Sequence, residues 1–149
     1  QTNEILNQLN GRLYMIKGNH DRYLKESEFN KERFVWIKPY AEMHDNRRKV
    51  VLSHYPIFCY NGQYRRNKKG EPLTYMLYGH VHDTLDEQLV RQFCQITRET
   101  KRQSKYDEKP MSIPCNMINC FCMYSDYIPL TLDEWIKYYL IHCDSITEG

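Results

Sequence analysis

Leu73-Thr74-Tyr75-Met76-Leu77-Tyr78-Gly79-His80-Val81-His82-Asp83 is the stretch on which the fold turns. Its first six residues are apolar, aromatic or β-branched, which is the composition of a strand, and Gly79 ends the run. Thr84-Leu85-Asp86-Glu87 follows as a capping-box pattern, with the threonine hydroxyl placed to take the Glu87 amide and the Glu87 carboxylate to reach back. Leu85, Leu89, Phe93 and Ile96 come next at helical spacing and predict one apolar stripe packed into the core. A strand, a polar corner and a helix in succession are the elements of an α/β fold.

Working outward, two earlier segments repeat the strand-to-corner arrangement. Leu13-Tyr14-Met15-Ile16 leads to Gly18-Asn19-His20-Asp21, and Lys49-Val50-Val51-Leu52 leads to Ser53-His54-Tyr55-Pro56. Four of the six histidines therefore stand just after apolar runs. The remaining pattern predicts a helix end over Asn3 to Leu9 stopped by Asn10-Gly11, and a short helix between about Arg22 and Lys31. It predicts a strand at Phe34 to Ile37 interrupted by Pro39, and a hairpin turn at Asp45-Asn46-Arg47-Arg48. Arg98 to Lys109 reads as a solvated helix end and linker, and Ile113 to Met123 as one or two strands. Thr131-Leu132-Asp133-Glu134 is a second capping box that opens a last helix running to about Ile141.

Composition narrows the class. A chain of 149 residues suits a single domain, or a large part of one, spanning 1–149. A formal charge of +2 is near neutral and does not argue for bulk nucleic-acid binding, and no apolar run approaches the ~20 residues of a membrane span. No secretory h-region follows the polar start, so a cytoplasmic protein with reduced thiols is expected. The first residue is Gln rather than Met, from which we expect the sequence to begin inside a longer protein. Cys115, Cys120 and Cys122 lack the C-x2-C spacing of a zinc knuckle and lie in an apolar stretch, so buried strand cysteines are expected there.

The histidine cassettes carry the chemistry. In an extended stretch His80 and His82 would point the same way, about 6 to 7 Å apart along the backbone, with Gly79 allowing a tight turn off the strand. Asn19 offers a neutral carbonyl oxygen to a hard or borderline cation. His20 beside Asp21 suggests a dyad in which the carboxylate sets the tautomer and keeps the imidazole protonated. His54 would sit at the carboxyl end of a buried strand, where sites of α/β proteins collect. Each cassette alone also reads as a plain turn or a hydrogen-bonded histidine; all three together, at strand ends, point to a metal site.

In this order the cassettes resemble the calcineurin-like metallophosphoesterase superfamily of the bacterial and phage type. That family carries Asp-x-His, Gly-Asp, Gly-Asn-His-Asp/Glu, a single His and Gly-His-x-His; the last three are matched by Gly18-Asn19-His20-Asp21, His54 and Gly79-His80-Val81-His82. The tail from Asn116 to Ile136, with Asp126-Tyr127-Ile128-Pro129-Leu130-Thr131-Leu132, also looks like the ending of such members. The resemblance implies a four-layer αββα sandwich of which this chain is the carboxyl-terminal part. It implies Asn19, His54 and His80 as ligands of one metal and His82 as a ligand of the other, drawn from Mn, Fe, Zn or Co. His20, with Asp21 behind it, would contact the phosphate and assist the leaving group. The implied reaction is hydrolysis of a phosphomonoester or phosphodiester by metal-activated hydroxide.

Only 17 residues precede Gly18, and they hold neither Asp-x-His nor Gly-Asp. The bridging carboxylate and two further ligands of the second metal are missing, so this stretch alone is expected to bind at most one metal, weakly, and to be a poor catalyst. The segment Cys59 to Gly70 joins two cassettes and is expected to overhang the pocket, with Arg65 and Arg66 holding a phosphate and Tyr60 or Tyr64 stacking on a base. A small phosphoester or nucleotide is the expected substrate. A nuclease of the same superfamily, or a non-catalytic binding module on the same fold, are the alternatives.

Overall fold

The structure, a computed structural model, describes residues 2–112 and 115–143. In chain order the helices and strands are α1 (Thr2–Gln8), β1 (Leu13–Ile16), β2 (Phe34–Lys38), β3 (Tyr40–Asp45), β4 (Arg48–Ser53) and β5 (Thr74–Tyr78). They continue with α2 (Leu85–Glu99), β6 (Lys101–Arg102), β7 (Met111–Ser112), β8 (Met117–Asn119) and α3 (Leu132–Cys143). The chain is thus of the mixed α/β class.

β1 and β2 pair in parallel as a small sheet of their own. Between them the predicted short helix is replaced by two 3₁₀ turns, Arg22–Lys25 and Lys31–Arg33. Leu24 and Phe29 explain this: five residues apart, they both enter one apolar cluster with Leu6, whereas an α-helix would turn them to different faces. Pro39 stands between β2 and β3 and has no N–H to give a ladder. There the chain leaves β1 as partner and pairs with β4 instead. The Asn46-Arg47 corner has positive φ at both residues (46° and 67°), the backbone of a type I′ hairpin, and Arg48 closes it with a 2.6 Å ion pair to Asp45.

The larger sheet runs β3-β4-β5-β8, antiparallel at its first pair and parallel thereafter. Its core joins Val51 and Met76, both fully buried, to Tyr78, Val90, Cys94 and Met117. Within the stretch expected to be a helix end and linker, Lys101–Arg102 forms β6 and pairs with β7. Of the strands expected over Ile113 to Met123, β8 is present and Ile113 and Pro114 lie outside the described residues; Cys122–Ser125 is a 3₁₀ turn. Cys115 is buried as expected, Cys120 is half-buried, and Cys122 is exposed at that turn, contrary to expectation.

Helix α2 shows the clearest departure. Its inward face carries Glu87, Val90 and Cys94, while Leu85, Leu89 and Ile96 are 67%, 50% and 59% exposed. At ~100° per residue the two sets lie on nearly opposite sides of the helix. The reason is polar: the Glu87 carboxylate accepts the Tyr78 hydroxyl at 2.7 Å and the Asn119 amide at 3.1 Å, and turning the leucines inward would strand those groups. Phe93 alone of the predicted stripe packs on the core, with Phe58 at 4.6 Å between ring centroids. The first capping box accordingly is not made, since Thr84 donates to the Val81 carbonyl at 2.6 Å. The second is made: Thr131 Oγ1 accepts the Glu134 N–H at 3.3 Å, and Glu134 Oε2 accepts the Thr131 N–H at 2.7 Å. Among the described residues no helix is long and apolar enough to cross a membrane.

Candidate metal centre

Register brings the three cassettes together. The Tyr40 and Ser53 Cα atoms face each other across β3 and β4, and the Lys17 N–H donates to the Lys38 carbonyl at 2.9 Å just before Pro39. The end of β1 therefore lies beside the end of β4. On the other side the Gly79 N–H donates to the His54 carbonyl at 3.1 Å, which fastens the end of β5 to the end of β4. The cassettes thus share the carboxyl-terminal edge of the strands, where α/β proteins place their ligands.

At this edge three side-chain atoms converge. Asn19 Oδ1 is 2.7 Å from His54 Nε2 and 3.2 Å from His80 Nδ1, and the two imidazole nitrogens are 3.1 Å apart. Three lone-pair donors at a metal with bonds of 2.0–2.2 Å stand about 3 Å apart when their directions are perpendicular, so the triangle fits one cation. Without a cation the triangle must share few protons: an amide oxygen cannot donate, and each neutral imidazole has one N–H for two nitrogens. Burial and then the neighbouring His80 push the His54 imidazole below its ordinary value of 6.5, which keeps its nitrogens available. Tyr55 packs on both rings, 5.0 Å from His54 and 4.4 Å from His80 between centroids.

Gly18 is required by packing rather than by φ. A Cβ there would lie 2.8 Å from His54 Cε1 and 2.9 Å from Nδ1. Gly79 has no such constraint, since a Cβ would meet nothing within 4 Å. The strained positions are the histidines themselves, with φ of 62° at His80 and 50° at His82. The extended His80–His82 geometry expected from the sequence is therefore absent. The left-handed turns point His80 to the triangle and lay the His82 ring flat on Phe121, with centroids 4.6 Å apart and planes 12° apart. Asn119 holds this corner by donating its amide to the His82 carbonyl at 2.8 Å.

Asn119 belongs to a buried network beneath the histidines. Glu87 joins Tyr78, Asn119 and Arg91, whose Nε lies 2.8 Å from Glu87 Oε1 but is poorly aligned for a hydrogen bond. Arg91 also donates to the Tyr78 hydroxyl at 2.6 Å and to the Met117 carbonyl at 2.9 Å. Burial pushes the Glu87 carboxyl up, and Arg91 pulls it back most strongly. The sequence pattern shows Glu87 only as a capping residue, because the helix face it occupies is set by its distant partners Tyr78 and Asn119.

The expected His20–Asp21 dyad is not formed. Asp21 Oδ2 accepts the Gly18 N–H at 2.5 Å and Oδ1 accepts the Tyr23 hydroxyl at 2.9 Å, so the carboxylate closes the Gly18–Asp21 turn. His20 is exposed, close enough for its charge to act on His54. A groove of about 330 Å³ beside it is lined by Lys17, Gly18, Asn19, Asp21, Arg22 and Lys25.

The segment expected to overhang the pocket runs the other way. Tyr60 is buried in the core, and its hydroxyl accepts the Asn116 N–H at 2.8 Å, so it cannot stack on a base. Gly62 lies against Thr74 and Lys49, and the Leu73 N–H donates to the Arg65 carbonyl at 2.9 Å. Tyr64, Arg65 and Arg66 therefore stand at the amino-terminal ends of β4 and β5, roughly 17 Å of strand from the histidines at ~3.3 Å per residue. Tyr64 is covered by Arg102, whose guanidinium is 3.7 Å from the ring centroid, and Arg66 pairs with Asp107 at 2.8 Å. Arg65 is exposed at that same end.

Among the described residues no group of three or more His, Cys, Asp or Glu side chains is placed to hold a metal; the triangle has two imidazoles and an amide. No protein-family model, no curated protein and no solved structure matches this chain.

Proposed function

We propose that the chain carries one metal-binding corner of a metallophosphoesterase. Asn19, His54 and His80 hold a single divalent cation, and the reaction served is hydrolysis of a phosphomonoester or phosphodiester. The observation that supports this reading is the triangle of Asn19 Oδ1, His54 Nε2 and His80 Nδ1, with sides of 2.7, 3.1 and 3.2 Å. Its mixed amide and imidazole donors suit Mn, Fe, Zn or Co.

A cation bound there would supply Lewis acidity toward a phosphoryl oxygen. The rest is done by the chain. Tyr55 and the close approach of Gly18 fix the two imidazoles. His20, exposed next to Asn19, would meet a phosphate and pass a proton to the leaving oxygen. Asp21 supports it indirectly, by holding the turn. Lys17, Arg22 and Lys25 border the groove next to Asn19 and take the anion-attracting role that the sequence assigned to Arg65 and Arg66.

A second cation does not fit the described residues, because His82 stacks on Phe121 instead of facing the triangle. In the family that the cassettes resemble, the further carboxylate ligands belong to the Asp-x-His and Gly-Asp motifs, which the described residues do not carry. The four-layer sandwich is proposed on the same grounds, the β1–β2 and β3–β8 sheets being the parts of it that this chain contributes. The position of His82 also favours, as a second reading, a binding module that holds one metal without catalysis.

Titration with Mn²⁺, followed by electron paramagnetic resonance, tests the proposal. One site per chain is expected, weakened at least tenfold by Asn19→Ala, His54→Ala or His80→Ala and unaffected by Arg66→Ala. Two equivalent sites, or binding indifferent to all three substitutions, would sink it. Assays with p-nitrophenyl phosphate, its bis-ester, cyclic nucleotides and single-stranded DNA then separate phosphoesterase, nuclease and silent binding module.

A further inference from the structure

The small sheet of β1 and β2 has two faces, and the metal centre uses neither. One face is covered: Leu13, Met15, Phe34 and Ile37 pack against the cluster of Leu6, Leu24 and Phe29. The other carries Tyr14 and Trp36 side by side, with ring centroids 5.2 Å apart and planes tilted by 56°. Tyr14 is 39% exposed and the neighbouring Val35 48%. Arg12 and Lys38 stand over the two rings, the guanidinium 5.9 Å from the Tyr14 centroid and the ammonium 5.2 Å from that of Trp36.

Trp36 reaches this face through a slip in register. Leu13 is paired with Phe34 but Tyr14 with Trp36, so Val35 is an extra residue with no partner in β1. In a regular strand residues i and i+2 share a face, and Trp36 would follow Phe34 into the covered cluster. The extra residue reverses the alternation: Ile37 turns inward and Trp36 turns out beside Tyr14. Packing alone would be better served by burying the indole, the larger apolar side chain of the two.

The charges on this face indicate what covers it. Arg12 and Lys38 are exposed beside the rings, and the Lys17 N–H donates to the Lys38 carbonyl at 2.9 Å. Lys17 in turn borders the groove that also holds Arg22 and Lys25. The net charge of +2 is small, yet cations here follow one another from the rings to that groove. Aromatic rings interleaved with lysine and arginine suit a single strand, whose bases stack on the rings while its phosphates meet the cations. A base stacked on an indole is held more strongly than an exposed cation over the same ring, so Arg12 and Lys38 can leave the rings for phosphates. A membrane surface is a poorer match, because two rings on a flat sheet present no broad apolar face to the acyl chains.

We propose that the outer face of the β1–β2 sheet binds single-stranded nucleic acid, with successive bases on Trp36 and Tyr14 and phosphates at Arg12, Lys38 and Lys17. This binding needs no cation. Its extension along the groove, which would bring a phosphodiester to the metal centre, rests on the function proposed above.

The test is titration of the full chain, in EDTA at low salt, with twelve-residue oligomers of thymidylate and of uridylate. Tryptophan emission should be quenched, and the change reports Trp36 because Trp135 is buried. An abasic oligomer of equal length should bind at least fivefold more weakly, as should the duplex. Trp36→Leu and Tyr14→Ala should each weaken binding at least fivefold, Lys38→Gln should weaken it and lessen its salt dependence, and Leu89→Gln on α2 should change nothing. The proposal is overturned if the oligomers do not bind, if abasic or duplex DNA binds equally well, or if phosphatidylserine vesicles take up the chain and the oligomers do not. The abasic comparison uses the parent chain, so it can be read even if a variant fails to fold. EDTA keeps the outcome separate from that of the Mn²⁺ titration.

Discussion

Gly18 has no side chain because the His54 imidazole occupies that space, with ring atoms 2.8 and 2.9 Å from where a Cβ would be. Gly18→Ala should therefore displace the ring and weaken Mn²⁺ binding at least tenfold while leaving the circular dichroism unchanged; Gly79→Ala, where nothing lies within 4 Å, should do neither. His54 also sets a pH dependence. Burial and the His80 charge lower its pKa, so the folded state rejects a proton that the unfolded chain takes up near 6.5. Its contribution to stability is complete above that value and declines as pH falls below it. Urea denaturation between about pH 5 and 8 should show this decline, and His54→Gln should flatten it. The residue types of the site were legible in the sequence, since amide and imidazole at strand ends are few and follow apolar runs. Their orientations were not: Asp21 was free in principle to serve His20 but is used by Gly18 and Tyr23.

At the scale of elements, the two Thr-Leu-Asp-Glu patterns behave differently although their sequences agree. Thr131→Ala should cost about 1 kcal/mol, because the reciprocal cap of α3 is made. Thr84→Ala should act instead on the histidine corner, because its hydroxyl holds the Val81 carbonyl at 2.6 Å. Chemical denaturation for the first and Mn²⁺ affinity for the second distinguish the two roles. The outward stripe of α2 gives a further contrast. Leu89→Gln should change stability by no more than about 0.5 kcal/mol, whereas Met76→Ala, at a fully buried position, should cost about 2–5 kcal/mol. Periodicity identified α2 as a helix but assigned the wrong face. An apolar stripe normally goes inward; here a buried carboxylate with matched partners outweighs it, and those partners come from β5 and β8.

Across the whole molecule, the two sheets are unequal. The β1–β2 pair rests on a small cluster around Leu6, Leu24 and Phe29, while β4 and β5 are flanked on both sides within a four-stranded sheet. Two strands alone are marginal, so backbone amides of β1 and β2 should exchange with solvent well before those of β4 and β5, as hydrogen-exchange mass spectrometry would read. Asn19 rides on the weaker part and His54 and His80 on the stronger. A cation that bridges them should slow exchange at residues 13–19 more than elsewhere, and unchanged protection on adding Mn²⁺ would count against the proposed site.

By itself the sequence determined the order of the main strands and of α2 and α3, the break at Pro39, the hairpin at Asn46-Arg47 and the residue types that gather at the strand ends, but not the β6–β7 hairpin or the turns that replace the expected short helix. These depend on local propensities and on short spacings. Only the tertiary structure decided which face of α2 is buried, where the Arg65-Arg66 segment lies, and which of the histidines meet. The physical reason is the same in each case. Those outcomes depend on hydrogen bonds and packing between residues far apart in the chain, such as Glu87 with Asn119, Arg66 with Asp107 and Asn19 with His54. No local pattern encodes such a partner.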